Sequence, residues 1–320
     1  MLLIIFLTTF LEILAIFPET MYDYKMLITY GKPLKYSGAL LLTSDFDTCV
    51  QNCWNNSNCV MVYESSNTTC QLFTVPNITT VQRTYNGSRI AVRIKSSDPT
   101  CPSTSPLLSG GVVNGDVDQT AASGGLVAYI TFNISLADDI WSVSSSKPLY
   151  CQSKFIFVQR ELGVWCIGLF LWTSCVTNQT TASQICTMNF NGGRLSGIEN
   201  EAEFQYLLES GASKLPAKVG TTVYSELGFW VDGVRKSTCT APSATCNGTN
   251  EFDYSDNMMS SPGGYQFLEG QPDGIANSNC LYLQVTQSRS EDGIDDSPCA
   301  TTEVCIGGFV CGMQPAVSVT

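Results

Sequence analysis

Fifteen cysteines and no histidine constrain this chain more than any other feature of its 320 residues. Thiols stay apart in a reducing cytosol and pair in oxidising compartments, so a count this high reads as a disulfide framework. Zinc is a poor alternative, because the chain has neither His nor a Cys-x-x-Cys pair. The odd count leaves at least one thiol over, or one bridge to another chain.

Other features point outside the cell. Leu2 to Phe17 is an apolar run of signal-peptide length, broken only by Thr8, Thr9 and Glu12, so residues 1–20 read as a signal peptide. No later apolar segment approaches membrane length, and Ile167–Trp172 is strand-sized. Seven Asn-x-Ser/Thr sequons, at Asn55, Asn67, Asn77, Asn86, Asn133, Asn178 and Asn247, fit a secreted glycoprotein. The net charge of −12 argues against nucleic acid as a partner. Charge is uneven: residues 22–95 carry seven Lys/Arg against four Asp/Glu, and residues 151–320 carry eight against seventeen. Two different partners are therefore conceivable.

The spacing of apolar and turn residues divides the chain. From 22 to 95, Ser44-Asp45-Phe46-Asp47 has the form of a capping box. It starts a short helix carrying Cys49 and Cys53 on one face, stopped by Asn55-Asn56-Ser57-Asn58. Strand-like pieces follow at 59–63, 70–73 and 90–94. Four cysteines, Cys49, Cys53, Cys59 and Cys70, allow three pairings, and a helix stapled onto a small sheet through them is a sensible way to stabilise a domain of this size. Residues 96–150 are rich in Ser, Thr, Gly and Asp and read as linker, apart from one strand at 126–132. Cys101 in this stretch has no assigned partner. From Cys151 a hairpin runs to Trp165-Cys166, a helix is expected over 180–189, and Asn200-Glu201-Ala202-Glu203 starts another that Gly211 ends. Beyond it lie strands, turns and long loops.

Cys49, Cys53, Trp54, Cys59, Val60, Tyr63 and Cys70 resemble the PAN/apple superfamily, in the CW or PAN-3 variant that precedes lectin-like domains in nematode proteins. That resemblance implies Cys49–Cys70 and Cys53–Cys59 bridges. Residues 151–314 resemble a C-type lectin-like domain: Leu195-Ser196-Gly197-Ile198 with Glu203, Phe229-Trp230-Val231-Asp232-Gly233 and Phe252-Asp253-Tyr254-Ser255-Asp256 stand in the family's order. The implied bridges are Cys186–Cys311 and Cys280–Cys299, with Cys151–Cys166 marking the long form and Cys239–Cys246 closing a local insertion. Cys175 and Cys305 remain, and the family's adjacent first and last strands would allow them to pair. The fold class expected is α+β: a small disulfide-stapled module plus a long-form lectin-like domain with two helices, small antiparallel sheets and long loops.

The lectin resemblance also implies chemistry. Gln271-Pro272-Asp273 matches a tripeptide that holds Ca²⁺ and two neighbouring hydroxyls of a galactose-like sugar, with Pro272 in the cis form. Gln271, Asp273, Asn279, Asp295 and Asp296 are the implied calcium ligands, and Gln271, Asp273 and Asp295 the implied sugar contacts. The pattern departs from the family in two places: Asn277, Ser278 and Asn279 stand where a Glu is usual, and Ile294-Asp295-Asp296 replaces Trp-Asn-Asp. Three carboxylates remain toward the six to eight oxygens that Ca²⁺ needs. No catalytic constellation is visible, since without His the Ser-His and Cys-His arrangements cannot form. Adjacent Asp295 and Asp296 rarely converge as an acid/base pair. The resemblance therefore implies a secreted glycan-binding protein, Ca²⁺-assisted, recognising glycans or extracellular glycoproteins in immunity or matrix. The alternative is a metal-independent extracellular adhesion protein using both disulfide-rich modules.

Overall fold

The computed structural model describes residues 23–96, 107, 109–120, 126–241, 243–273, 277–302 and 304–317. The proposed signal peptide and Cys101 lie outside them. Two compact units form among the described residues: one from those up to Gln119 with those of Tyr129–Pro148, the other from those of Thr120–Ala128 with those from Leu149 onward. No helix among the described residues is long and apolar enough to cross a membrane.

The first unit is an antiparallel sheet with one helix. Its elements are β1 (Asp23–Tyr36), β2 (Leu40–Leu42), α1 (Phe46–Trp54), β3 (Met61–Ser66), β4 (Thr69–Phe73), β5 (Ile78–Arg83), β6 (Arg89–Ser96), β7 (Val112–Thr120), β8 (Leu126–Ala137) and β9 (Ile140–Ser145). With 14 residues, β1 is long enough to pair twice, its first half with β6 and its second half with β5. From there the sheet runs β6-β3-β4-β2 on one side and β5-β9-β8 on the other. The helix starts one residue later than the capping-box reading. Asp45 is the N-cap, its carboxylate accepting both the N–H and the hydroxyl of Thr48. Phe46, Cys49 and Cys53 form the buried stripe of α1, packed on Val62, Leu72 and Ala91.

The strand expected at 126–132 is the first part of β8, but the reading of the rest of residues 96–150 as linker does not hold for β7, β9 and the end of β8. Val113, Val117, Ile130, Phe132, Ile134, Trp141 and Val143 share a core with Phe73, Ile78, Val81, Ile90, Val92 and Ile94. Trp141 pairs across from Val81, and its indole N–H donates to the Leu107 carbonyl at 2.8 Å. Along 130–134 and 141–144, buried and exposed residues alternate, the period of a half-buried strand. The exposed positions are Thr, Asn and Ser, and those polar residues give the segment its linker-like composition.

The second unit contains β10 (Leu149–Gln152), β11 (Ile156–Arg160), β12 (Gly163–Leu171), α2 (Gln179–Asn189), β13 (Arg194–Leu195), α3 (Glu201–Ala212), β14 (Lys218–Val219), β15 (Thr222–Val223), β16 (Glu226–Arg235), β17 (Phe252–Asp253), β18 (Ser278–Thr286), β19 (Gly293–Pro298) and β20 (Ile306–Met313). Its main sheet runs β11-β12-β20-β16-β18-β19, with β20 and β16 parallel and the other neighbours antiparallel. All eight residues of β20 are buried. Gly308 is needed there because a Cβ would collide with the Phe170 carbonyl of the neighbouring strand. Asn200 caps α3 by accepting the Glu203 N–H at 3.0 Å. The helix does not stop at Gly211 but runs to Ala212, and Gly211 lies inside it against β18: a Cβ there would approach Val285 to 2.8 Å.

Seven disulfides link the pairs named above: Cys49–Cys70, Cys53–Cys59, Cys151–Cys166, Cys175–Cys305, Cys186–Cys311, Cys239–Cys246 and Cys280–Cys299. Two of them close spans of 125 and 130 residues, tying the α2 region to β20 and the segment just before it.

If β7 to β9 belong to the first core, Trp141→Ala should cost about 3–5 kcal/mol, the range for emptying a buried aromatic site. Chemical denaturation of the purified chain measures it; a loss under about 1 kcal/mol would return the segment to linker.

Candidate functional site

The β18–β19 pairing positions the two aspartates of the sequence-predicted site. Asp295 stands opposite Tyr282 and Asp296 opposite Leu281. Consecutive strand residues point to opposite faces, so the adjacent carboxylates diverge. Asp295 accepts the Tyr282 hydroxyl at 2.7 Å, and its second oxygen accepts the Asp296 N–H at 2.8 Å. Asp296 turns inward and accepts Arg235 Nη2 at 2.6 Å, while its other oxygen accepts the Asp273 N–H at 3.2 Å. Gln271 also bonds locally, its amide oxygen accepting the Asp273 N–H at 2.9 Å. The Gln271–Pro272 bond is cis. The Asp273 side chain is exposed, and so is Asn279 on β18.

Arg235, at the end of β16, organises this region, and its own side chain is only 7% exposed. One arm pairs with Asp296, the other with Glu251; Nε donates to the Ser278 carbonyl at 2.9 Å, and the guanidinium lies over the Phe252 ring at 4.8 Å. The Asp296 and Glu251 side chains are 0% and 4% exposed, so this is a buried charge triad. Burial pushes the Asp295 and Asp296 carboxyls above their ordinary range; Arg235 opposes the shift at Asp296, and the Tyr282 hydrogen bond opposes it at Asp295. Burial beside Asp295 also pushes the Tyr282 phenol up, keeping it a donor.

Ca²⁺ takes six to eight oxygens; of the five residues named as its ligands, Gln271, Asp295 and Asp296 accept protein donors, and Asp273 and Asn279 are exposed. Arg235 supplies, inside the protein, the positive charge that a cation would bring to Asp296. Among the described residues no group of three or more His, Cys, Asp or Glu converges to hold a metal ion.

The rest of the long loop is also held by side chains. Asp232 accepts the Ser255 N–H, the Ser255 hydroxyl and the Asp256 N–H at 2.6, 2.9 and 2.7 Å. Glu199 accepts the Glu161 and Ser260 N–H groups, both at 2.7 Å. Arg160, fully buried, bonds both oxygens of Glu203 at 2.7 and 2.8 Å and Asp256 at 2.8 Å, and donates to the Gly197 carbonyl at 2.9 Å. Burial works against the Arg160 charge, but Glu203 and Asp256 outweigh it and raise its pKa. The sequons fall on varied surfaces. Asn55, Asn67, Asn86, Asn133 and Asn247 are exposed, while Asn77 and Asn178 are half-buried, and Asn178 caps α2.

Two family models match the chain: a PAN-like domain over residues 26–96, and C-type lectin domain-containing protein 141/158 over residues 159–313. This chain joins a PAN-like domain to a C-type lectin domain. Among solved structures, ovocleidin-17 of the Gallus gallus eggshell calcified layer is 18% identical, with 51% of this chain and 99% of that chain covered and a TM-score of 0.31. EMS16, an antagonist of the collagen receptor integrin alpha2beta1, is 18% identical over 51% and 98% of the two chains, TM-score 0.29. Botrocetin is 16% identical over 51% and 98%, TM-score 0.27. No curated protein matches the chain.

Sequence reasoning about the lectin domain did not single out Arg235, Glu251, Arg160 or Tyr282. One signal was present: with eight Lys/Arg among residues 151–320 against seventeen acids, an arginine ending an apolar strand is poorly placed for solvent and invites a buried partner.

Arg235→Gln, which strands Glu251 and Asp296 without their cation, should destabilise the chain by about 3–5 kcal/mol. Adding Glu251→Gln should recover part of that loss. A double-mutant cycle in urea reads both, and strictly additive losses would contradict the triad.

Proposed function

We propose that this protein is an extracellular binding protein whose C-type lectin domain engages its partner without calcium. One observation carries the reading: the carboxylate of Asp296 is already neutralised by buried Arg235, which is itself shared with Glu251. A divalent ion at Asp296 would have to sit beside a guanidinium that has nowhere to move, or break a desolvated ion pair. The long-loop anchors support the same reading, because Asp232, Glu199 and Arg160 perform the ordering that bound ions would otherwise provide. The recognition surface is then one of fixed protein groups, and the galactose-type, calcium-bridged mode implied by Gln271-Pro272-Asp273 gives way to direct contacts with a glycoprotein or protein ligand.

Location outside the cell is supported by the seven disulfides, which persist in oxidising compartments, and by the apolar N-terminal run and the sequons. The part proposed for both domains is binding rather than catalysis.

Thermal unfolding followed against Ca²⁺ tests the proposal: the melting temperature should stay flat up to about millimolar ion, because only a ligand of the native state raises it. A glycan and glycoprotein array probed with and without EDTA should give the same pattern. EDTA-sensitive binding to galactose-type sugars would overturn the reading.

A further inference from the structure

A second candidate site lies within the first unit. A cleft of about 590 Å³ opens between β6, β7 and the β8–β9 hairpin, within the size range of small-ligand sites. Its floor is Asp116, 6% exposed, whose carboxylate takes the Tyr24 hydroxyl, Lys95 Nζ and, at 2.7 Å, the Tyr129 hydroxyl. Lys95 and Asp116 are the only charged groups among the described lining residues, and they pair with each other. The cleft is therefore neutral as a whole. An anionic ligand would have to compete with Asp116 for Lys95, and a cationic one with Lys95 for Asp116.

The walls are hydroxyls and amides. On the outward face of the hairpin, Thr131 and Asn133 lie across from Ser146 and Ser144, with Asn114 from β7 completing the rim. Cross-strand neighbours on one face stand roughly 5 Å apart, so donors and acceptors come in two closely spaced rows. An apolar ligand would leave these groups without partners. A molecule carrying its own closely spaced hydroxyls meets them.

We propose that this cleft binds a neutral saccharide. Two sources supply that chemistry: the first sugars of a glycan on Asn133 itself, or an external oligosaccharide. Asn133 lines the cleft and lies in a sequon, and the Ser144 hydroxyl donates to its Oδ1 at 2.5 Å. That bond leaves Nδ2, the atom a glycan joins, uninvolved.

The full chain and its Asn133→Gln form, which keeps an amide but cannot be glycosylated, are titrated calorimetrically with chitobiose, lactose and maltose. If the chain's own glycan fills the cleft, mass spectrometry finds sugar on Asn133, the unsubstituted chain gives no heat, and Asn133→Gln binds chitobiose. If the ligand is external, both forms bind one of the sugars. Either way, adding Thr131→Trp, which fills the cleft from an exposed strand position, should weaken binding at least about tenfold and leave the melting temperature within about 2 °C. Should Asn133→Gln not fold, Ser135→Ala removes the sequon with Asn133 in place. No binding of any of the three sugars by the sequon-free chain, or binding indifferent to Thr131→Trp, would overturn the proposal.

Discussion

The lectin domain depends on a guanidinium that cannot give up its charge. Arg160 ends β11 in the opening hairpin, yet its partners come from α3 through Glu203, from the long loop through Asp256 and from the turn at Gly197. A buried arginine is tolerable only when its donors are met by geometry this complete. The three segments it joins are far apart in sequence, so the knot forms only when the hairpin, the helix and the loop are all in place. Around it lies the apolar core of Trp165, Phe204, Phe229, Leu283 and Val310, which supplies the burial that makes the ion pairs so dependent on one another.

Arg235 repeats this logic at the other end of the loop with a different consequence. An ion that neutralises carboxylates can leave, and the loop it holds then answers to concentration and pH. An arginine tethered to β16 is present at unit stoichiometry wherever the chain is folded. Arg160 holds Asp256 and Arg235 holds Asp296, and under the calcium-free reading proposed above such pre-organised surfaces spend less of their binding energy on ordering.

Much of this architecture was legible in the sequence, for identifiable reasons. The cysteine framework and the motif order announced both domains because they are local strings: Asn200 with Glu203 caps a helix as the residues alone suggest, and Gln271-Pro272-Asp273 is a recognisable turn. What the sequence concealed was long-range. Gly211 looks like a helix terminus, yet its lack of a side chain answers to Val285, about seventy residues later. Of the strands in residues 112–145 only the one at 126–132 was legible; the outward Ser, Thr and Asn hid the others, and only the alternation with Ile134, Trp141 and Val143 reveals their inward face. The identity of Asp295 and Asp296 as candidate ligands was visible. That one of them faces Tyr282 and the other Arg235 follows from strand register, which no short motif encodes.

The placement of β20 carries a consequence for biosynthesis. This strand lies in the middle of its sheet, between β12 and β16, and is buried along its whole length. Until residues 305–313 have left the ribosome, β12 and β16 have open flanks, and Cys175 and Cys186 lack the partners that Cys305 and Cys311 provide. More than a hundred residues of the domain therefore wait with these two cysteines unpaired and the sheet unsealed. The yield of such a chain should follow the redox poise of the compartment that makes it.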